Sequence, residues 1–270
     1  MAPAATPMDL EGQSIGPVVV AVTADRVALY VDTTGDDADR WLEEAPPGFG
    51  SVLLFAVADE FLYDPQIIPF TRTLLHLDQT FVYHSPIAMG ATLTVAGEVT
   101  RVRQRADSYF VTFTANATDG DAAVVESVST FVLSDQEAPP AEDVLSEPDV
   151  MERGVNSGGL RSASRHDLVR YSAATRDFNP LHWDHEFAVN AGLPGTVVHG
   201  LLMYAWLMQQ ASTATGGATV AESKIRFRSA LFPSQQAQID ATPEGETVRL
   251  SLAVGEDQLI SGRATMAERV

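Results

Sequence analysis

His199-Gly200-Leu201-Leu202-Met203-Tyr204-Ala205-Trp206-Leu207-Met208 is apolar on every side once its first two residues are passed. A helix of that kind must be buried over most of its surface. The chain beyond it alternates: residues 223–232, 235–241, 247–254 and 259–266 read as strands separated by turn residues. Long antiparallel strands after one greasy helix predict a curved sheet wrapped around that helix, an α+β layer solution. The first half repeats the strand part at residues 74–83, 92–103, 109–117 and 124–133. Two such units side by side would pair their sheets and cover the facing edges.

The length of 270 residues suits two domains of ~135 residues each. Hydrophobic residues make up 45% and charged residues 20%, enough apolar mass for a sizeable core. The net charge of -19 argues against nucleic acid and anionic membrane surfaces as main partners, since both require a broad basic footprint. Lys224 is the sole lysine. The chain has no cysteine, which removes disulfide scaffolds, Cys-ligated zinc, iron–sulfur clusters and thiol nucleophiles. Residues 1–9 carry neither a basic region nor an apolar core, so no secretory signal is expected. No apolar run approaches the ~18 residues a membrane helix needs, and the expected location is cytoplasmic.

Residues 134–143 are acidic, proline-bearing and aperiodic, and this character continues to about Gly159. The expected organisation is an N-terminal unit over 1–133, a linker over 134–159 and a C-terminal unit over 160–270. The two units look like a duplication. Aligning Tyr30 with Tyr171 also places Thr34 on Thr175 and Asp36 on Asp177, and 81–85 then parallels 225–229.

The chemistry-bearing stretch is Tyr171-Ser172-Ala173-Ala174-Thr175-Arg176-Asp177-Phe178-Asn179-Pro180-Leu181-His182-Trp183-Asp184. Residues 164–176 show helical spacing, with Asp167 three residues after Ser164 in a capping-box pattern. Pro180 ends the helix and turns the chain. Asp184 is placed to cap a second short helix that stops at Gly192. A turn of this kind can aim Asp177 and His182 at one point, and a carboxylate and an imidazole converging on a water form an acid–base pair near neutral pH. The spacing alone fits equally well with Asp177 and Asn179 merely capping the turn while His182 packs locally. His199-Gly200 opens the apolar helix, whose start offers free N–H groups and the positive end of the helix dipole. Gly200 there either leaves room for a ligand carbonyl or serves close helix–sheet packing.

With Val198-His199-Gly200-Leu201 downstream, this pattern resembles the (R)-specific enoyl-CoA hydratases, the MaoC-like dehydratases, over residues 164–212. The resemblance implies a HotDog fold, here a double HotDog. It also implies reversible syn hydration of trans-2-enoyl thioesters to (3R)-3-hydroxyacyl thioesters carried by CoA or acyl carrier protein. By motif position Asp177 and His182 are the implied catalytic pair, Asn179 a supporting hydrogen-bonding residue, His199 a substrate-side residue and the Gly200 amide an oxyanion donor. No cofactor or metal is required by that chemistry. The first half, through Leu75-His76-Leu77-Asp78-Gln79-Thr80-Phe81-Val82-Tyr83-His84-Ser85-Pro86, resembles the degenerate half of such chains. Its turn keeps Asp36 but has Ala38 for Asn179 and Trp41 for His182, and indole cannot replace imidazole in proton transfer. Six residues separate Trp41 from Pro47, the expected counterpart of His199, against seventeen from His182 to His199. The reading is one active site per chain, a lost helix in the first half, and extra room for a bulky or long acyl group, with the plainer alternative that the shortened half is only a packing platform.

Arg101, Arg103 and Arg105, or Arg226 and Arg228, alternate on strands and are candidates for meeting the phosphates of the carrier, against the plainer reading of a solvated strand face. A metal set of His182, Asp184, His185 and His199 is conceivable but unnecessary. His76, His84 and His166 read as surface or packing residues. A HotDog thioesterase and a non-catalytic acyl-thioester binding module are the competing functions. Both a monomer and a homodimer of double-HotDog chains satisfy the sequence.

Overall fold

The computed structural model describes residues 6–136, 138–147, 153–233 and 235–267. The N-terminal half contributes β1 (Ser14–Ala21), α1 (Ala24–Thr34), α2 (Gly50–Leu62), β2 (Thr73–Tyr83), β3 (Thr92–Arg105), β4 (Ser108–Asp119) and β5 (Ala122–Ser134). The C-terminal half contributes β6 (Asn156–Ser157), β7 (Leu160–Arg161), α3 (Arg165–Thr175), α4 (His185–Asn190), α5 (Gly200–Ala214), β8 (Thr219–Phe227), β9 (Ala237–Glu244), β10 (Thr247–Val254) and β11 (Asp257–Ala267).

All these strands join one sheet in the order β1-β3-β4-β5-β2-β8-β11-β10-β9-β7-β6. The two expected sheets are therefore hydrogen-bonded into one, through the antiparallel pair β2–β8 from Asp78↔Arg226 to Val82↔Glu222. Alternation makes each half-sheet amphipathic: along β3 the inward residues Leu93, Val95, Val99 and Val102 are buried while their neighbours face water. The inward faces close on α2 in one half and α5 in the other, and both helices are buried almost throughout. Burial on all sides is why these two helices are apolar around their whole circumference.

α1 and α3 pack against each other above the two central helices. Tyr30 and Tyr171 meet there with ring centroids 6.2 Å apart. The Tyr171 hydroxyl donates to Ser51 Oγ at 3.2 Å, tying α3 to α2 across the halves. The Tyr83 hydroxyl donates to the Pro47 carbonyl at 2.6 Å and lies 3.0 Å from Tyr204 Oη.

Two sequence expectations need correction. β1 and the small β6–β7 hairpin were not foreseen, because neither shows a long alternating pattern. The hairpin's first strand, Asn156–Ser157, falls inside the expected 134–159 linker, and its second, just beyond it, pairs Leu160 and Arg161 with Gln238 and Ala237. Elsewhere the linker lies along the C-terminal half, with Leu145 N–H bonded to the Pro194 carbonyl at 2.7 Å and Glu147 paired with Arg165. Residues 137 and 148–152 of that linker lie outside the described residues. Among the described residues no helix is long and apolar enough to cross a membrane.

Candidate active site

Ser164 and Asp167 form the capping box that starts α3: Asp167 N–H donates to Ser164 Oγ and Asp167 Oδ2 accepts from Ser164 N–H. At the other end Thr175 Oγ1 bonds the Tyr171 carbonyl at 2.8 Å, and Arg176 takes a left-handed conformation with φ 72°. That reversal delivers Asp177 to the interior, where it is 8% exposed. Asn179 then caps the single turn Pro180–His182 by accepting from Leu181 N–H at 3.2 Å. Its own backbone N–H donates to the Asp177 carboxylate.

This turn brings His182 Nε2 to 3.9 Å from Asp177 Oδ2. His182 Nδ1 lies 2.8 Å from the Val197 carbonyl. A carbonyl only accepts, so Nδ1 carries the proton and the neutral ring leaves a lone pair on Nε2, facing Asp177. Burial without a countercharge pushes Asp177 up to about 7, and burial pushes His182 down to about 4 despite the Val197 bond. Near neutrality, then, His182 is uncharged and Asp177 sits at the edge of ionisation.

Both residues line a cavity of about 290 Å³. Its remaining wall is mostly apolar and comes from both halves, including Phe55 and Leu62 of α2, Leu74 of β2, and Leu193, Val198 and Met203 of the C-terminal half. Gly200, the first residue of α5, also lines it. Its amide belongs to the first turn, whose N–H groups lack helical partners. A Cβ at Gly200 would stand 3.1 Å from Phe227, so close packing against β8 is one reason for glycine here, alongside access to the amide.

Residues 141–260 match the MaoC like domain, and residues 9–127 match the FAS1-like, dehydratase domain region. The C-terminal half carries a MaoC-like dehydratase domain. Over 72 residues the chain is 33% identical to the mitochondrial 3-hydroxyacyl-[acyl-carrier-protein] dehydratase of Arabidopsis thaliana. That match takes in 27% of this chain and 43% of the relative, less than half its length. The crystal structure of HtdX of Mycobacterium tuberculosis superposes with a TM-score of 0.74 at 19% identity, over 94% of this chain and 100% of that one. A second protein of the same organism, described as having a double hotdog fold, gives 0.64 at 15% identity over 95% and 96% of the two chains. The fold is the double HotDog.

The MaoC-like half and its N-terminal counterpart build the same helix end. Thr34 Oγ1 bonds the Tyr30 carbonyl at 2.9 Å, as Thr175 does with Tyr171. Gly35 holds the left-handed position that Arg176 holds in the other half. Asp36 comes next and is raised by burial. There the likeness stops. Trp41 is 7% exposed, and the pocket that Asp36 and Trp41 line measures about 10 Å³. The short helix α4 has no equivalent between Trp41 and Pro47, as expected from length, but its loss leaves no open space at the Asp36 site. The expected counterpart of His199 also moves. Phe49 precedes Gly50 of α2 as His199 precedes Gly200 of α5, and Phe49 packs on Tyr30 as His199 packs on Tyr171, with centroids 5.6 and 4.8 Å apart. Phe49, not Pro47, is the matching residue.

Several candidates are not brought to the cavity. His199 is fully buried beneath His182, ring on ring at 3.7 Å, with Nε2 3.1 Å from Ser172 Oγ and 3.3 Å from the Asp177 carbonyl. It positions the pair from behind and does not line the cavity. Arg226 Nη1 donates to both Asp78 carboxylate oxygens, at 3.0 and 2.8 Å, and Arg101 and Arg103 are exposed on β3, away from the cavity. Arg228 does line the cavity, with Nε bonded to Ser261 Oγ at 3.0 Å. The conceivable metal set also falls apart, since Asp184 caps α4 by accepting from Phe187 N–H. Asp177, His182 and His199 place one ligand-type atom each within 4.8 Å of one another, while one nitrogen of each ring is already engaged, His182 Nδ1 with the Val197 carbonyl and His199 Nε2 with the Asp177 carbonyl.

One cavity residue, Asp59, was missed by sequence reasoning, and His76, a packing residue as expected, also lines the cavity. His76 packs between Phe131 and Phe227 and is lowered to about 4 by burial. Asp59 of α2 enters the cavity from the N-terminal half. Its signal was present: it is an acid in an otherwise apolar helical run, Ser51-Val52-Leu53-Leu54-Phe55-Ala56-Val57-Ala58-Asp59.

Proposed function

We propose that this chain is a hydro-lyase that reversibly adds water to trans-2-enoyl thioesters, giving (3R)-3-hydroxyacyl thioesters, with one active site per chain in residues 160–270. The carrying observation is the 3.9 Å approach of two hydrogen-bond acceptors, ionised Asp177 Oδ2 and neutral His182 Nε2, inside a largely apolar cavity at the start of α5. One water has two hydrogens, and this arrangement offers each an acceptor, leaving an oxygen lone pair free for C3. In hydration the pair takes a proton from the water as the C3–O bond forms, and returns a proton to C2 on the same face. The balance is one water added. The negative charge that gathers on the thioester oxygen meets the Gly200 N–H at the positive end of α5.

In this reading the N-terminal half, residues 1–133, is a non-catalytic wall of the site, and 134–159 connects the two. Arg228 is the one basic candidate placed at the cavity, and it suits the carrier's phosphates. The Arabidopsis relative is named for acyl-carrier-protein substrates, which keeps both CoA and carrier-protein thioesters in view. The test is a panel of trans-2-enoyl-CoA substrates of graded length, monitored by loss of the conjugated thioester absorbance, with chiral analysis of the product. Hydration to the 3R alcohol supports the proposal. Release of free thiol without hydration would make the chain a thioesterase instead, and a 3S product would overturn the stereochemistry.

A further inference from the structure

The cavity contains a carboxylate that water addition does not use. Asp59 lies on α2 nine residues after Gly50, and the residue nine after Gly200 in α5 is Gln209. The two central helices thus each send one polar side chain across to the other half's turn. Gln209 is satisfied there: its Nε2 donates to the Thr34 carbonyl at 3.2 Å, beside the filled pocket of Asp36 and Trp41. Asp59 is not. Its Oδ1 is buried with no hydrogen-bond partner among the described residues, and its Oδ2 has only Arg176 Nε at 3.8 Å, beyond hydrogen-bond reach.

The neighbours of Asp59 narrow what it can bind. The charged or titratable groups facing it are Asp177 and Arg176 of the C-terminal half and Tyr63 of its own half. Burial, with Asp177 adding to it, pushes Asp59 up to about 7, and Arg176 opposes this. A carboxylate on a ligand would meet two acids here. An ammonium would meet the Arg176 guanidinium. A neutral donor meets neither penalty. It can reach the carboxylate through its open part, the side chain being 21% exposed although Oδ1 is enclosed, where Oδ2 has no partner within hydrogen-bond distance. Arg176 adds a second sign of purpose: its left-handed backbone, φ 72°, is the conformation that Gly35 takes without strain in the other half. An arginine at that position sets its guanidinium beside Asp59, directly before Asp177 in the chain.

We propose that Asp59 is a specificity-determining residue contributed by the non-catalytic half, accepting a hydrogen bond from a hydroxyl on the acyl group of the enoyl thioester. This rests on the hydro-lyase reading for the identity of the thioester, but not for the preference itself. The substrate class is a hydroxylated enoyl thioester, with the hydroxyl carried close to the reacting carbons, because Asp59 and Asp177 line the same cavity of about 290 Å³ and Asp59 Oδ2 lies 3.8 Å from Arg176, the residue before Asp177. Plain alkyl chains of equal length leave the acid unpaired and are discriminated against.

The test compares trans-2-hexenoyl-CoA with 5-hydroxy-trans-2-hexenoyl-CoA in the wild-type protein, Asp59→Leu and Asp59→Asn. The expected wild-type kcat/KM favours the hydroxylated substrate by about tenfold or more. Asp59→Leu reverses the preference toward the alkyl substrate, and Asp59→Asn keeps part of it because an amide oxygen still accepts. An unchanged ratio in Asp59→Leu overturns the proposal. Calorimetric titration with the saturated pair, hexanoyl-CoA and 5-hydroxyhexanoyl-CoA, separates the two readings. A hydroxyl preference that disappears in Asp59→Leu supports Asp59 even if no substrate is hydrated. Equal affinity of the wild-type protein for both ligands overturns it even if hydration is fast.

Discussion

Between Thr34 and Trp41 the chain builds the same helix end as between Thr175 and His182, yet one leaves a pocket of about 10 Å³ and the other a cavity of about 290 Å³. Three replacements account for the difference. Trp41 stands where His182 stands and fills the space instead of bordering it. Phe49 replaces His199, keeping the ring contact with the tyrosine but losing the polar contacts to Ser172 and Asp177. The α4 segment, which leads to the cavity-lining residues Leu193 and Val197, is absent from the N-terminal half. A buried carboxylate is therefore not enough to make a site. Asp36 and Asp177 are both raised by burial, but only Asp177 faces a second acceptor across open space.

The comparison can be broken at each of these points. The largest expected effect on turnover is from His182→Ala, which removes one of the two acceptors and should lower kcat by ~10²–10⁴ in an enoyl-CoA hydration assay with circular dichroism unchanged. His199→Phe imports the N-terminal half's residue. It should keep the stacking on Tyr171 but loosen the turn, lowering kcat by about tenfold, the value of one lost hydrogen bond.

A pH profile sharpens the difference further. Because Asp177 must be ionised to accept from water, kcat/KM for hydration should rise as pH increases through about 7, falling tenfold per unit below it. The same group has a linkage signature in stability. Its folded value lies above the ~3.9 of an unfolded aspartate, so the folded state holds the proton more tightly and its contribution to stability is lost as pH rises from about 4 to about 7. His182, lowered to about 4, acts in the opposite sense over the range up to its ordinary ~6.5. Denaturant melts of Asp177→Asn should therefore show stability rising more steeply with pH over that interval than in the wild type.

A small effect on turnover is expected at Trp41. Trp41→Ala should destabilise the fold by ~3–5 kcal/mol, the usual cost of emptying a buried aromatic site, while kcat per folded molecule stays within twofold.

Much of this was legible in the sequence because it is local. The capping box at Ser164, the turn at Pro180 and the Asp184 cap depend on residues three to five apart, and each is observed as read. The strands of both halves were visible through alternation. What was not legible depends on the other half. The apolar run around Asp59 marks the acid as unusual but does not say that α2 presents it to the cavity of the C-terminal half, and nothing near Phe49 marks it as the partner of His199 until both are seen against their tyrosines. The arginines misled for a similar reason. Alternation placed Arg226 and Arg228 together, but β8 ends at Phe227, so Arg226 remains on the sheet with Asp78 while Arg228 turns to the cavity.

The most direct measurement compares Asp177→Asn with Asp36→Asn, two identical substitutions at matching turns, by the rate at which each protein bleaches the absorbance of a trans-2-enoyl-CoA. Loss of ~10²–10⁴ in kcat for the first and none for the second is the predicted result. Equal rates from the two variants, whether both fast or both slow, would contradict a single working site in the C-terminal half.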